Sequence, residues 1–468
     1  MMSEHYDFIV IGGGSGGYAG ARTAREKCEK VAIVDGADKL TGLCILRGCM
    51  PSKTLIYAAE VLHHANHGEQ FGLNIPQAQA DMDTLQARKE KVIGEFADYR
   101  VEELKSDRFD LYRSNARFID EKTIILDDGT KLSGDNLLIA TGSIINHPPV
   151  PGLDSVPTLT SDEVLELNTL PESIIVLGGG VVACELTQYL NRIGSKVTMI
   201  QRSGHILKES SSKATKVIEQ AFRDEGIELY TDTKIENISK EGKGIQVTFS
   251  HRGKEVICKA SYLFNSLGRI PNTSGLALEN ARIDLLPSGH IKINVNQQTS
   301  NTRVYAAGDC CGPHEIVHVA IMQGELAAKH ASGQNYNAIN YDHLLKIIFT
   351  DPQVATVGLS DIDLTDRNID YLSAEFPFND HGKSILMEAK YGYVKVLARK
   401  SDGCVLGAEC VGKDAGELIH SLAVAVSLEA TACALLKTHW YHPTLSEIWT
   451  YPLEKIAQTL NGAAPKSE

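Results

Sequence analysis

Residues 5–38 read HYDFIVIGGGSGGYAGARTAREKCEKVAIVDGAD: an apolar run, Gly12-x-Gly14-x-x-Gly17, an alanine-rich stretch, a second apolar run and an acid at Asp35. A chain with this order has few ways to fold. Strand, tight turn, helix and strand form a parallel βαβ unit in which the glycines let backbone approach a pyrophosphate at a helix N-terminus and the acid bonds an adenosine ribose. The order recurs from Ser173 as SIIVLGGGVVACELTQYLNRIGSKVTMIQRS, with Gly178 and Gly180 in place, Ala183 as the third small residue, and Gln201-Arg202 where an acid would stand. An acid there would repel a ribose 2′-phosphate, whereas Arg202 and the nearby Lys208 would neutralise one, so the second site suits NADP(H) better than NAD(H). The plain alternative is that both cations are solvated surface charges. Two dinucleotide sites in one chain imply a flavin and a nicotinamide exchanging hydride.

Composition sets limits around this pair. With 468 residues, 43% hydrophobic and 22% charged, the chain is globular and long enough for two to four domains. Its net charge is −13, without basic runs or aromatic-basic interleaving, so no nucleic acid partner is expected. No apolar stretch reaches the ~18 residues of a membrane span, and MMSEHYDFIVIGGG has no basic segment ahead of an apolar one. A cytoplasmic protein without a membrane partner is expected. Ten cysteines in such a chain argue against a secreted disulfide framework, so a reactive pair would be redox-active or metal-binding and most others reduced.

Two of the ten stand five apart in TGLCILRGCMPSK, residues 41–53. On an ideal helix that step puts the Cα atoms about 8.7 Å apart, whereas a disulfide tolerates less than about 7 Å. Either Cys44 and Cys49 never bond, or the chain bends between them, and Gly48 is the residue type that permits a bend. Rivals are two structural cysteines or an iron-sulfur ligand set, although no Cys-x-x-Cys follows. His63 and His67, at i and i+4, would be a metal pair with a third ligand and are otherwise a solvated helix face, the reading taken here. Cys310-Cys311 is read as small residues packed under the flavin rather than a second redox or metal pair, because adjacent cysteines bridge only with backbone strain. No metal site is expected.

Five separated motifs resemble the FAD-dependent pyridine nucleotide-disulfide oxidoreductases, the family that includes dihydrolipoamide dehydrogenase, glutathione reductase and mercuric reductase, along nearly the whole chain. Gly12-x-Gly14-x-x-Gly17 with Asp35 corresponds to the FAD-adenosine site, and LLIATGS, with Thr141 and Gly142, to the segment leaving the FAD domain. NTRVYAAGDCCG resembles the second flavin motif, whose acid, here Asp309, holds the ribityl chain; LGRIPNT, with Gly268, resembles the end of the nicotinamide domain. HPTLSE resembles a catalytic dyad, His442 and Glu447.

The resemblance implies an α/β fold with two Rossmann-like domains, for FAD over 1–148 and 275–338 and for NAD(P) over 149–274, followed by an α/β dimerisation domain over 339–468. Within this frame 55–106 reads as long helices leaving the active site, and the tail NGAAPKSE as disordered. The resemblance also implies roles. Cys44 and Cys49 form a redox disulfide on a distorted helix, Cys49 against the flavin and Cys44 exchanging with substrate, with a helix N-terminus and an imidazolium lowering the thiol pKa. Lys53 and Glu185, taken alone a helix-surface lysine and a glutamate on a helix face, become an ion pair beside the flavin that favours its negative reduced form. His442, held by Glu447 from the second subunit of a homodimer, shuttles the proton of Cys44.

Departures matter too. The family run Gly-Gly-Thr-Cys-x-Asn-x-Gly-Cys is broken by Thr41, Leu43 and Leu46, which bears on the redox potential and the substrate. Val181 replaces the tyrosine that gates the nicotinamide pocket in glutathione reductases. The PSK after Cys49, HPTLSE and His318 lean toward dihydrolipoamide dehydrogenase; Ala183 and Arg202 lean toward NADPH-using reductases. The expected function is an FAD-dependent disulfide oxidoreductase most like dihydrolipoamide dehydrogenase, acting on a small-molecule or lipoyl-protein disulfide or dithiol. Alternatives are a glutathione-type reductase and a mercuric-reductase-like enzyme, although such enzymes usually end in a cysteine pair and this sequence ends AAPKSE. A non-catalytic redox sensor or assembly subunit is the reading against which Cys44, Cys49, His442 and Glu447 speak.

Overall fold

The computed structural model describes residues 3–462, and the expectation for the tail beyond Gly462 lies outside them. Strand Glu4–Ile11 carries the run Phe8–Ile11, buried on both faces as a central parallel strand must be. Burying each such side chain contributes roughly 1.5–3 kcal/mol, which is why the strand reads as continuous rather than alternating apolar sequence. It anchors a seven-stranded sheet in the order Asp110–Tyr112, Val31–Val34, Glu4–Ile11, Lys131–Ile139, Thr123–Leu126, Ala116–Phe118. Strand Val304–Ala306, from beyond the second repeat, pairs in parallel with the last residues of Lys131–Ile139.

The second repeat forms a parallel four-stranded sheet in the order Glu228–Tyr230, Lys196–Ile200, Ser173–Leu177, Tyr262–Asn265. An antiparallel meander, Thr233–Glu241, Gly244–His251 and Lys254–Ala260, flanks it. The segments entering and leaving this unit, Ser143–Ile145 and Arg269–Pro271, pair antiparallel with each other. Beyond them lies an antiparallel five-stranded sheet, ordered Leu345–Ile348, Gln353–Gly358, Val405–Gly412, Tyr393–Arg399, Tyr371–Pro377. Residues Ile419, Trp449 and Leu453 of the helical layer, which includes Ala415–Ser427 and Thr450–Leu460, are buried against it.

The expected long helices are Cys49–Asn66 and Met82–Leu104, separated by a single 3₁₀ turn and an irregular stretch. The second starts where Asp81 accepts the Thr84 backbone N–H, satisfying a donor that a helix N-terminus otherwise leaves free. Helix Ser15–Ala24 crosses helix Val317–Ala331 with backbones nearly touching: a Cβ on Gly324 would lie 2.1 Å from the Gly16 carbonyl oxygen. That crossing locks the first cradle against the segment carrying His318.

Candidate functional site

The three fingerprint glycines each answer a different demand. Gly12 has φ +107°, and a Cβ there would sit 2.3 Å from the Ala140 oxygen. At Gly17 a Cβ would lie 1.9 Å from the Gly12 oxygen, so the helix packs directly on the turn. Gly14 is different, because a Cβ would meet nothing nearer than the Gly42 Cα at 3.8 Å. The fold does not need glycine at Gly14; a ligand backbone pressed against the helix N-terminus would. The second cradle repeats the logic, with φ +113° and a 2.3 Å clash with Ser266 oxygen at Gly178, open space at Gly180, and a fully buried Ala183.

Asp35 follows strand Val31–Val34 and accepts the Gly13 and Ala37 N–H groups at 2.8 and 2.9 Å, which fixes its carboxylate beside the cradle. Asp309 accepts the Ser143 hydroxyl at 2.7 Å, and Ser143 in turn accepts from Arg269 at 2.8 Å. The Thr141 hydroxyl donates to the Asn272 carbonyl at 2.7 Å, holding the two connecting segments together, while Gly142 and Gly268 present open backbone. These residues fit a flavin dinucleotide: a pyrophosphate cradle, an acid for a ribose and an acid for a polyol chain.

The redox segment is two helices, Leu43–Arg47 and Cys49–Asn66, broken at Gly48. A Cβ on Gly48 would lie 3.0 Å from the Leu43 oxygen and 3.2 Å from the Cys44 Cα, so glycine lets the chain fold back on the first cysteine. Of the two possibilities for the pair, the bent chain is the one realised. Cys44 and Cys49 are free thiols, half-buried and near enough for each to be the strongest influence on the other's acidity. The adjacent Cys44 thiol, helped by the Lys53 ammonium, brings Cys49 down to about 7 against the effect of burial. The same pairing, then burial, raises Cys44. Within one chain the groups acting most strongly on the thiols are therefore each other and Lys53; His442 is not among them.

Lys53 lies one turn along the second helix from Cys49, and its ammonium sits 2.7 Å from Glu185 Oε2 and 4.7 Å from the Phe349 ring centroid. Glu185 is almost fully buried, and its other oxygen accepts the Phe349 N–H at 2.9 Å. Glu185 comes from the helix that opens at the second cradle, so the pair joins the thiol segment to the nicotinamide unit. Phe349 carries no sequence signal for this position, since only the tertiary fold brings it there.

His442 Nδ1 donates to both Glu447 oxygens, at 3.0 and 3.1 Å. The His442 side chain is 77% exposed and that of Glu447 14%, so the second ring nitrogen faces outward on a fixed imidazole. Glu447 is held by the adjacent Ile448 and Trp449, both fully buried. Behind the carboxylate stands a residue sequence reasoning passed over: His381, 1% exposed, with Nε2 3.6 Å from Glu447 Oε1.

Arg202 and Lys208 are exposed, and the Leu207 N–H bonds the Gly179 carbonyl at 2.7 Å, folding their loop onto the second cradle. Val181 is exposed at the start of the adjoining helix. The Cys310 and Cys311 thiols are buried and donate to the Ala307 and Gly308 carbonyls at 3.3 and 3.2 Å, as packed reduced residues do. The His63 and His67 rings lie 4.1 Å apart, tilted by 33°, and burial draws His63 down to about 3.

Comparison with known proteins agrees along the chain. The family model for pyridine nucleotide-disulphide oxidoreductases matches residues 6–324, and that for their dimerisation domain matches 345–452. A dihydrolipoyl dehydrogenase of Bacillus subtilis (strain 168) is 32% identical over 460 residues, covering 95% of this chain and 97% of its own. A mercuric reductase of Lysinibacillus sphaericus is 31% identical over 448 residues, covering 96% of this chain and 82% of its own. The crystal structure of LpdA from Mycobacterium tuberculosis superposes with a TM-score of 0.86 at 28% identity, covering 96% of this chain and 99% of that one.

Proposed function

The chain belongs to the pyridine nucleotide-disulphide oxidoreductases, and on that premise we propose that Cys44 and Cys49 carry electrons between a nicotinamide nucleotide and a disulfide or dithiol substrate, as in dihydrolipoamide dehydrogenase. Bound FAD supplies the two-electron relay between nicotinamide and thiols. Gly12, Gly14, Gly17, Asp35, Thr141, Gly142 and Asp309 hold it. Gly178, Gly180 and Ala183 hold the nicotinamide nucleotide, and Gly268 closes that unit. The FAD unit spans 1–148 and 275–338, the nicotinamide unit 149–274 and the interface unit 339–468.

The observation that carries this reading is the helix break at Gly48, which folds Cys49 back toward Cys44 with Lys53 one turn further on. Cys44, helped by Lys53, favours the thiolate form of Cys49, and Lys53 with Glu185 faces the nicotinamide side. Cys44 exchanges with substrate. In the oxidising direction a substrate thiol loses its proton to His442 and attacks Cys44 Sγ, the Cys44–Cys49 bond breaks and Cys49 leaves as thiolate. The second substrate thiol then displaces Cys44 and leaves the substrate disulfide, so the pair gains two electrons. Glu447 holds the imidazole so that the outer nitrogen takes and returns the proton. A homodimer supplies the dyad from one subunit to the cysteines of the other, consistent with the dimerisation-domain match and the exposure of His442.

The nicotinamide nucleotide is NADP(H), read from Gln201, Arg202 and Lys208. Among the described residues no helix is long and apolar enough to cross a membrane, and the working location is the cytoplasm. Flavin-loaded protein assayed with NADPH and NADH against lipoamide, glutathione disulfide and mercuric ion tests the function. Turnover with lipoamide supports it; turnover with mercuric ion alone moves the chain to the mercuric reductase reading.

A further inference from the structure

His381 and Glu447 meet in the interior of the C-terminal unit. His381 precedes the short helix Gly382–Leu386, is 1% exposed, and turns Nδ1 to the Ser384 hydroxyl at 2.8 Å and Nε2 to Glu447 Oε1 at 3.6 Å. Ser384 is itself fully buried. A neutral imidazole carries one proton, and an unprotonated Nε2 facing a carboxylate would set lone pair against negative charge. The proton therefore sits on Nε2, and the Ser384 O–H donates to Nδ1.

We propose that His381 is a positioning residue for the His442 proton shuttle, presenting its Nε2–H to Glu447 so that the carboxylate lies between two imidazoles and only part of its charge reaches His442. This rests on the reading of His442 and Glu447 as the dyad. The Nε2 atom is buried with no hydrogen-bond partner, and the Glu447 carboxylate, 3.6 Å away, is the acceptor it faces. Burial holds His381 below the ordinary histidine range, which keeps it a neutral dipole rather than a competing cation. The charged or titratable groups acting on it are Glu447 and His442, and the Tyr451 ring packs edge-on at 6.1 Å. A purely structural histidine would give packing; a positioning one also sets how firmly Glu447 holds the proton on His442.

The experiment compares His381→Phe, which keeps a ring but no N–H, with His381→Gln, which restores a donor near the Nε2 position. In flavin-loaded protein, reduction of the oxidised pair by a low-molecular-weight dithiol is followed across pH, and flavin reduction by NAD(P)H serves as the second half-reaction. His381→Phe should shift the acid limb of the exchange profile upward by roughly half a pH unit, because the undivided carboxylate charge keeps His442 protonated to higher pH. His381→Gln should return the limb toward its wild-type position, with flavin reduction unchanged in both. His381→Met, flexible and without a donor, replaces the Phe variant if that does not fold. An acid limb that stays in place in the donor-less variant, or a shift that Gln does not reverse, overturns the proposal. His442→Ala runs alongside: if it leaves exchange unaffected, the dyad reading itself has failed, a result distinct from a silent His381.

Discussion

Lys53 Nζ lies 2.7 Å from Glu185 Oε2, tying the helix that begins at Cys49 to the helix that begins at the second glycine cradle. The pair is asymmetric in burial: the Lys53 side chain is 32% exposed and that of Glu185 only 4%. Lys53→Met keeps the stem and leaves a buried carboxylate with the Phe349 N–H alone. It should cost about 3 kcal/mol, the lower end for breaking a buried pair, because Lys53 still reaches solvent. Denaturant midpoints at constant m-value check this.

The same substitution should move the thiol. The Lys53 charge is one of the groups that lower Cys49, so its removal should raise the Cys49 titration on the order of one pH unit. Ultraviolet thiolate absorbance of the reduced protein, titrated in wild type and Lys53→Met, measures the difference. An unchanged midpoint would mean that Cys44 alone sets the acidity.

Linkage gives a second pH signature. Cys49 is an acid whose folded pKa, about 7, lies below that of an ordinary thiol at about 8.5. The unfolded state therefore binds more protons between these values, and the contribution to stability is complete above the unfolded value and lost as pH falls through about 7. The stability difference between reduced wild type and Cys49→Ser should grow from pH 7 to pH 9 and be flat below about pH 6.

For the nucleotide, exposed Arg202 and Lys208 flank a cradle whose strand ends in Gln201 rather than an acid. One charge-assisted bond to a 2′-phosphate contributes roughly 1.5–3 kcal/mol, so NADPH should exceed NADH in kcat/KM by about tenfold or more. Arg202→Ala should remove most of that preference. Equal values in wild type, or a preference that survives the substitution, would assign the choice elsewhere.

Thr41 occupies a place that suits glycine. It has φ +101°, is fully buried, and its hydroxyl has no hydrogen-bond partner. A β-branched residue in that region is strained by about 1–3 kcal/mol, and an orphan hydroxyl adds about 1–3 kcal/mol. Against this stand the cavity left by the side chain and the greater freedom of glycine when unfolded. Thr41→Gly should stabilise the protein by about 1 kcal/mol net. Thermal and denaturant unfolding read this directly.

Much of this was legible in the sequence because it is local. The glycine spacings, the apolar strand runs and the C-x4-C segment place their chemistry within a few dozen residues, and the folded chain keeps those placements. Lys53 with Glu185 was legible only by resemblance, since its partners lie on different βαβ units. Phe349 and His381 were not legible: neither stands in a motif, and each acquires its contact only when distant elements pack. Thr41 could be seen as a departure from the family run, but its positive φ could not, because a backbone dihedral at a β-branched residue has no signature in the residue type.

Cys44 and Cys49 should cycle between a disulfide and two thiols. Alkylation and peptide mass mapping of the flavin-loaded protein, air-oxidised and then reduced with one equivalent of NADPH, test it most directly. The oxidised protein should carry one intramolecular disulfide joining the two, and the reduced protein two newly alkylated thiols at the same positions. Reduction should also give a long-wavelength thiolate–flavin absorbance that Cys44→Ser retains and Cys49→Ser lacks. Both cysteines alkylated equally in the oxidised and reduced protein would contradict it.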